Sequence, residues 1–199
     1  STDRTDLTFA NALRAVLRQD PDIIAVGEIR DGETAEIAMR AAMTGHLVFT
    51  TIHTNDALSS IDRLLDIGVE PYLIAGGVRG IISQRLVRKI CPRDCQAGLH
   101  PLPRRAGAFG AAQGDYQFYR GTGCSECFHT GYRGRTGVFE ILTMTPDMRH
   151  AIHQKDRKAM EEAVRRSTFR PILEDCAHLV AEGITTTEEI VKVIGGQVK

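Results

Sequence analysis

A chain of 199 residues, 42% hydrophobic and 25% charged, has the make-up of one globular domain or a domain with a small added module, which excludes a disordered or fibrous protein. Its 25 Lys and Arg balance 25 Asp and Glu, so no overall positive field draws nucleic acid. No apolar run approaches the roughly 20 residues that span a bilayer, and the first six residues lack the apolar stretch of a signal peptide.

Phe9, Ala12, Leu13, Val16 and Leu17 recur at helical spacing and predict an amphipathic helix over 8–19, broken by Asp20-Pro21-Asp22. Residues 23–26, Ile-Ile-Ala-Val, form a continuous apolar run that suits a strand buried on both faces of a parallel sheet. Asp31-Gly32 opens a helix carrying Ala35, Ile37, Ala38, Ala41 and Ala42, which Gly45 ends. Residues 47–52 form a second buried strand. Asn55 is the expected N-cap of a helix holding Ala57, Leu58, Ile61, Leu64 and Leu65; Gly68 stops it and Pro71 can start another. Strand, helix, strand, helix with short connections makes a parallel α/β sheet.

Residues 91–134 are rich in Cys, Gly, Pro and Arg, and 96–120 reads as a loop or weak helix with no assignable chemistry. Helical stripes return at Met148 and Ile152, at Met160, Ala163 and Val164, at Ile172, Leu173, Cys176, Leu179 and Val180, and at Ile190, Val191, Val193 and Ile194. These are core stripes, with Pro146 and Pro171 as starts, Thr185–Thr187 as the last cap and Cys176 as a buried small hydrophobe. Arg85, Arg88, Lys89, Arg133 and Arg135 read as solvated surface, with an acidic-partner patch as the alternative.

In open parallel sheets, ligands bind beyond the carboxyl ends of the strands. The first strand runs into Gly27-Glu28-Ile29-Arg30-Asp31 and the second into His53-Thr54-Asn55-Asp56. An apolar strand leading into an acid has the shape of a Walker B motif. A carboxylate there can hold magnesium, often through water, or orient the water that attacks a γ-phosphate. Gly27 permits close approach of backbone or ligand, and Arg30 can pair with a phosphate or a carboxylate. A glutamate after a strand is equally an ordinary solvated loop residue. His46 and His53 bracket the second strand seven residues apart. In a straight strand that odd spacing puts them on opposite faces near opposite ends, which implies different jobs.

Four of the five cysteines form two close pairs, Cys91/Cys95 and Cys124/Cys127, with 28 residues between them. Without a secretory signal, such pairs read as metal ligands before disulfides. Two pairs on turns can converge as four thiolates about 2.3 Å from zinc, a structural site with no open position. Such a site ties together a module too small to build its own core. Buried reduced thiols or a disulfide are the alternatives. The first pair is spaced one residue wider than the second, and His129 is the spare ligand should Cys95 not reach.

Residues 18–56, RQDPDIIAVGEIRDGETAEIAMRAAMTGHLVFTTIHTND, resemble the Walker B and histidine-box region of the type II secretion and type IV pilus assembly ATPases. The likeness extends weakly through Arg85–Cys91 and Gly131–Glu140. It implies the C-terminal part of a RecA-like P-loop NTPase core over 1–90, with an inserted tetracysteine zinc module over 91–134. A return strand and C-terminal helical bundle follow over 135–199. It also implies a homo-hexameric motor that hydrolyses ATP with Mg2+ and carries Zn2+. That motor works in the cytoplasm at the inner membrane, with a platform protein and a cytoplasmic adaptor as partners. By the same resemblance Glu28 is the Walker B carboxylate, Gly27 and Glu28 face the nucleotide, Arg30 joins the site, and His46 and His53 sense the γ-phosphate or a neighbouring subunit. The four cysteines favour assembly or secretion over retraction or DNA uptake. A zinc-stabilised module that binds nucleic acid or protein is the alternative of another class.

Two family features are missing. No GxxxxGK[ST] loop occurs, since Gly76-Gly77 and Gly195-Gly196 lack the following Gly-Lys-Ser/Thr. The acidic segment between P-loop and Walker B is absent as well. The sequence therefore implies a C-terminal portion that by itself scarcely binds ATP, or a P-loop-free relative with a different task. Cys91-x3-Cys95 is also one residue longer than the family's usual pair.

Overall fold

Two apolar runs pair in parallel, β1 (Ile23–Val26) with β2 (Leu47–Thr50), in the register Ile23↔Leu47 to Val26↔Thr50. This is a computed structural model that describes residues 8–92, 96–98 and 118–195. Helix α2 (Gly32–Met43) makes the crossover between the strands, and α1 (Phe9–Leu17) packs on it. The connection is tight because Asp31 caps α2, accepting from the Thr34 amide at 2.8 Å and from Thr34 Oγ1 at 3.0 Å. Gly32 follows, and a Cβ there would overlap the Ile67 carbonyl, so the first turn of α2 lies directly on main chain.

Helix α3 (Ala57–Asp66) begins at Asp56, not at the expected Asn55. The Asp56 carboxylate accepts from the Ser59 amide and the Ser59 hydroxyl, each at 2.7 Å. An anion with two acceptor oxygens suits the positive end of the helix better than an amide. Helix α4 (Pro71–Gly77) starts on Pro71 as its sequence predicts.

The chain parts into two compact units, Ser1–Ile82 with Ile141–Phe169, and Ser83–Glu140 with Arg170–Lys199. The first holds the β1–β2 pair, α1–α4, α5 (Pro146–His153) and α6 (Arg157–Arg166). Its core closes on Ile61, Leu73, Ile74, Leu142, Met148, Ile152 and Met160, all fully buried. The strands cover one face only. Ile24 and Val26 are buried, whereas Ile23 is 62% exposed, Phe49 58%, and Leu47 is exposed as well. The expectation of two strands buried on both faces is not met here: β1 buries only Ile24 and Val26, and β2 is shorter than 47–52 with Val48 alone half-buried.

Strands β3 (Gly80–Ile90) and β6 (Tyr132–Thr143) pair as a long ribbon. Gly80 sits beside the Leu142 carbonyl, and further along Lys89 sits beside Gly134, so the two run antiparallel. The second unit adds β4 (Gln96–Gly98), paired antiparallel with β5 (Tyr119–Gly121), and the helices α7 (Ile172–Ala181) and α8 (Thr187–Ile194). The four C-terminal helices divide two and two between the units. The second core is smaller: Val87, Val138, Ile172, Cys176, Val180, Ile190 and Ile194. Burial pushes the Cys176 thiol up to about 12, in keeping with a core role.

Arg88 overturns its surface reading. Its amide and Nε donate to Glu189 at 3.0 and 2.9 Å, and its guanidinium lies 4.1 Å over the Tyr132 ring. Glu189 is only 4% exposed. Burial alone would raise its carboxyl, but the hydrogen bonds from Arg88 prevail and hold it below the ordinary carboxylate range. Among the described residues, no helix is long and apolar enough to cross a membrane.

Candidate active site and metal centre

Beyond the β1–β2 ladder, the two strand ends stay joined. The Ile29 amide donates to the Thr51 carbonyl at 2.9 Å, and Thr51 Oγ1 donates to the Gly27 carbonyl at 2.6 Å. Ile29 is buried and anchors the turn, which turns Glu28 outward between two fixed neighbours. Glu28 Oε1 is ion-paired with Arg30 Nη2, and Glu28 Oε2 lies 3.2 Å from His53 Nε2. The Arg30 guanidinium, with His53 behind it, holds the Glu28 carboxyl below its usual range, so it is an anion at neutral pH. Both partners are open to solvent, with the His53 side chain 91% exposed and that of Arg30 75%. A Cβ at Gly27 would meet no atom within 4 Å, so packing inside the chain does not demand glycine there.

The structure brings Glu28, Arg30 and His53 together and leaves His46 apart. His46 lies at the amino end of β2, where its Nδ1 is 3.1 Å from the Ala41 carbonyl and 3.3 Å from Thr44 Oγ1, at the C-terminus of α2. Seven residues of extended chain, roughly 20 Å, separate it from His53. Opposite ends and different surroundings follow from the spacing alone. The sequence places Thr51 inside a strand over 47–52, whereas β2 ends at Thr50, and only past that end is its hydroxyl free to bond the Gly27 carbonyl.

In the second unit, Cys91, Cys124 and Cys127 converge, with their sulfurs all within 4.8 Å of one another. The Cys91–Cys124 separation is 3.9 Å and the Cys124–Cys127 separation 3.7 Å. Four sulfurs set tetrahedrally at 2.3 Å from one ion stand about 3.8 Å apart, whereas a disulfide needs about 2.05 Å. The spacing therefore fits a metal cluster and not a disulfide. Backbone amides supply the donors that thiolates want: Cys124 to Cys127 Sγ at 3.1 Å and Gly131 to Cys127 Sγ at 3.3 Å. Phe128 and His129 both adopt the left-handed region, φ 52 and 60, to wrap the turn around the sulfurs. His129 does not join the cluster, and Cys95 lies outside the described residues.

Glycine makes the module possible at one crossing. Gly121 and Gly131 meet main chain to main chain, and a Cβ on either would overlap the other's backbone. Gly131 also accepts from the Cys91 amide at 3.0 Å, so one residue ties the first cysteine to the second pair.

A family model described as "Type II/IV secretion system protein" matches residues 2–192. The type II secretion system protein E of Pectobacterium carotovorum subsp. carotovorum is 45% identical over 190 residues, which are 96% of this chain and 38% of that protein. The type II secretion system ATPase E of Vibrio cholerae is 45% identical over 192 residues, again 96% of this chain and 38% of that protein. The type IV pilus assembly ATPase PilB of Thermus thermophilus is 47% identical over 188 residues, covering 92% of this chain and 21% of that protein. Among solved structures, the pilus retraction motor PilT with bound ADP is 30% identical with a TM-score of 0.64, covering 96% of this chain and 44% of that one. The DotB ATPase of Legionella pneumophila, 23% identical with a TM-score of 0.67, shares the fold. The chain thus spans about two-fifths or less of the curated relatives named here. The chain belongs to the type II/IV secretion system protein family.

Proposed function

We propose that this chain is the C-terminal part of a RecA-like, hexameric motor ATPase that powers pseudopilus or pilus assembly, and that it supplies the carboxylate-and-histidine half of the ATP site. The observation that carries the reading is Glu28, an outward-facing anion at the carboxyl end of β1 with Arg30 and His53 on its two oxygens. In this role Glu28 orients the attacking water and takes up its proton. Arg30 and His53, both exposed, exchange the carboxylate for phosphate oxygens as nucleotide enters, which frees Glu28 for the water. Open space at Gly27 lets the nucleotide approach the backbone. Glu28 would help to hold Mg2+, which would supply charge neutralisation on the phosphates. His46, at the far end of β2, senses a neighbouring subunit rather than acting on Glu28.

Cys91, Cys124 and Cys127 would hold a structural Zn2+, with Cys95, which lies outside the described residues, as the fourth ligand its sequence spacing suggests. The cysteine cluster and the identities to secretion and pilus-assembly ATPases, higher than that to the retraction motor, support assembly over retraction or DNA uptake. As such a motor it works in the cytoplasm against an inner-membrane platform protein, with a cytoplasmic adaptor as partner. The balanced charge and the low aromatic content count against the nucleic-acid-binding alternative, and Arg88 and Arg133 are paired with Glu189 and Glu126. In the whole protein, Glu28→Gln is expected to lower ATP turnover by about 100-fold or more while nucleotide affinity stays. Turnover within a few-fold of the unaltered protein would remove Glu28 from the chemistry.

A further inference from the structure

The geometry points to Thr51 as a positioning residue for Glu28, an inference that rests on the reading of Glu28 as the catalytic carboxylate. Glu28 is held from both sides by this one residue. The peptide before it is gripped at the Gly27 carbonyl by Thr51 Oγ1 at 2.6 Å, and the peptide after it is gripped at the Ile29 amide by the Thr51 carbonyl at 2.9 Å. The ladder itself ends at the Val26↔Thr50 pair, so without the hydroxyl the Gly27 carbonyl has no strand partner here. Gly27 is the residue least able to hold its own conformation, lacking a Cβ. A side-chain clamp on its carbonyl is therefore the device that sets where the Glu28 carboxylate points.

Thr51 also sits two residues before His53, on the same side of the extended segment that follows β2. One short stretch thus holds the Glu28 backbone through Thr51 and the Glu28 carboxylate through His53. Thr51 contacts the main chain on both sides of Glu28 and acts through Glu28. Loss of the hydroxyl releases the Gly27 carbonyl and with it the aim of the carboxylate, while the Ile29 amide keeps its bond to the Thr51 carbonyl. The signature is a fall in kcat with KM preserved, because orientation of the reacting group is lost and ground-state binding is not.

The test uses the whole protein with Thr51→Val, which keeps the shape and removes the hydroxyl, and Thr51→Ser, which keeps the hydroxyl. Thr51 is exposed, so neither variant disturbs the core. The expected result is a kcat for ATP about ten-fold lower in Thr51→Val with KM within about two-fold, and at least about half of kcat kept in Thr51→Ser. The inference is overturned if Thr51→Val keeps full kcat while Glu28→Gln is inactive, or if Thr51→Ser falls as far as Thr51→Val. A Glu28→Gln protein that remains active sinks the underlying reading instead, which separates the two failures.

Discussion

The two chemical centres of this chain are built by opposite means. Glu28, Arg30 and His53 stand on the ends of parallel strands whose rear is a hydrophobic core, and their side chains are exposed. The three cysteines have almost no core of their own and are held by amide-to-sulfur hydrogen bonds, a glycine crossing and left-handed turns. The first centre is positioned by the fold, and its Arg30 and His53 side chains are open to solvent. In the second, Cys91 and Cys127 are buried. A site that exchanges ligands suits a rigid scaffold, whereas a structural ion suits a segment that burial cannot stabilise.

Metal removal should separate them most sharply. A structural zinc contributes on the order of 10 kcal/mol to the fold it organises. A strong chelator is therefore expected to strip amide-exchange protection from β5, β6 and α8 while α2–α4 keep theirs; unchanged protection in the second unit would refute a folding role for the metal. The Arg88–Glu189 pair comes next. Glu189→Ala removes the hydrogen bonds to a guanidinium that is 41% exposed and should cost about 2 kcal/mol in chemical denaturation. The folded Glu189 carboxyl titrates below its unfolded value, so its contribution is complete above the ordinary carboxylate pKa of about 4.3 and is lost as pH falls through the lower folded value. The variant should accordingly lose part of the acid limb of the stability curve, and an unaltered limb would count against the pair. The smallest effect belongs to the first unit, where Asp56→Ala removes one cap and should cost about 1 kcal/mol, read as a lower melting temperature.

Much of the first unit is legible because its signals are local. The apolar runs at Ile23 and Leu47, the breaker at Asp20-Pro21 and the start at Pro71 each act within a few residues. The carboxyl-end rule then places Glu28 and His53 near one another before any coordinates. What was not legible depends on distant partners. Strand β3 carries Arg88, which reads as surface because its partner Glu189 lies 101 residues away. Residues 96–98 read as loop because their strand partner is Tyr119–Gly121. The cap of α3 turned on the difference between an amide at 55 and a carboxylate at 56, a choice made by backbone geometry at the helix start. The cysteines fall between these cases: spacing names Cys91, Cys124 and Cys127 as partners, but only the Gly121–Gly131 crossing explains how they meet.

That crossing also makes a clasp. The β4–β5 ladder pairs Gln96 with Gly121 and Gly98 with Tyr119, and Gly121 lies against Gly131, whose amide donates to Cys127 Sγ. A side chain at either glycine would wedge the ladder away from the sulfurs, so the two positions act as a keyway that only bare main chain can enter.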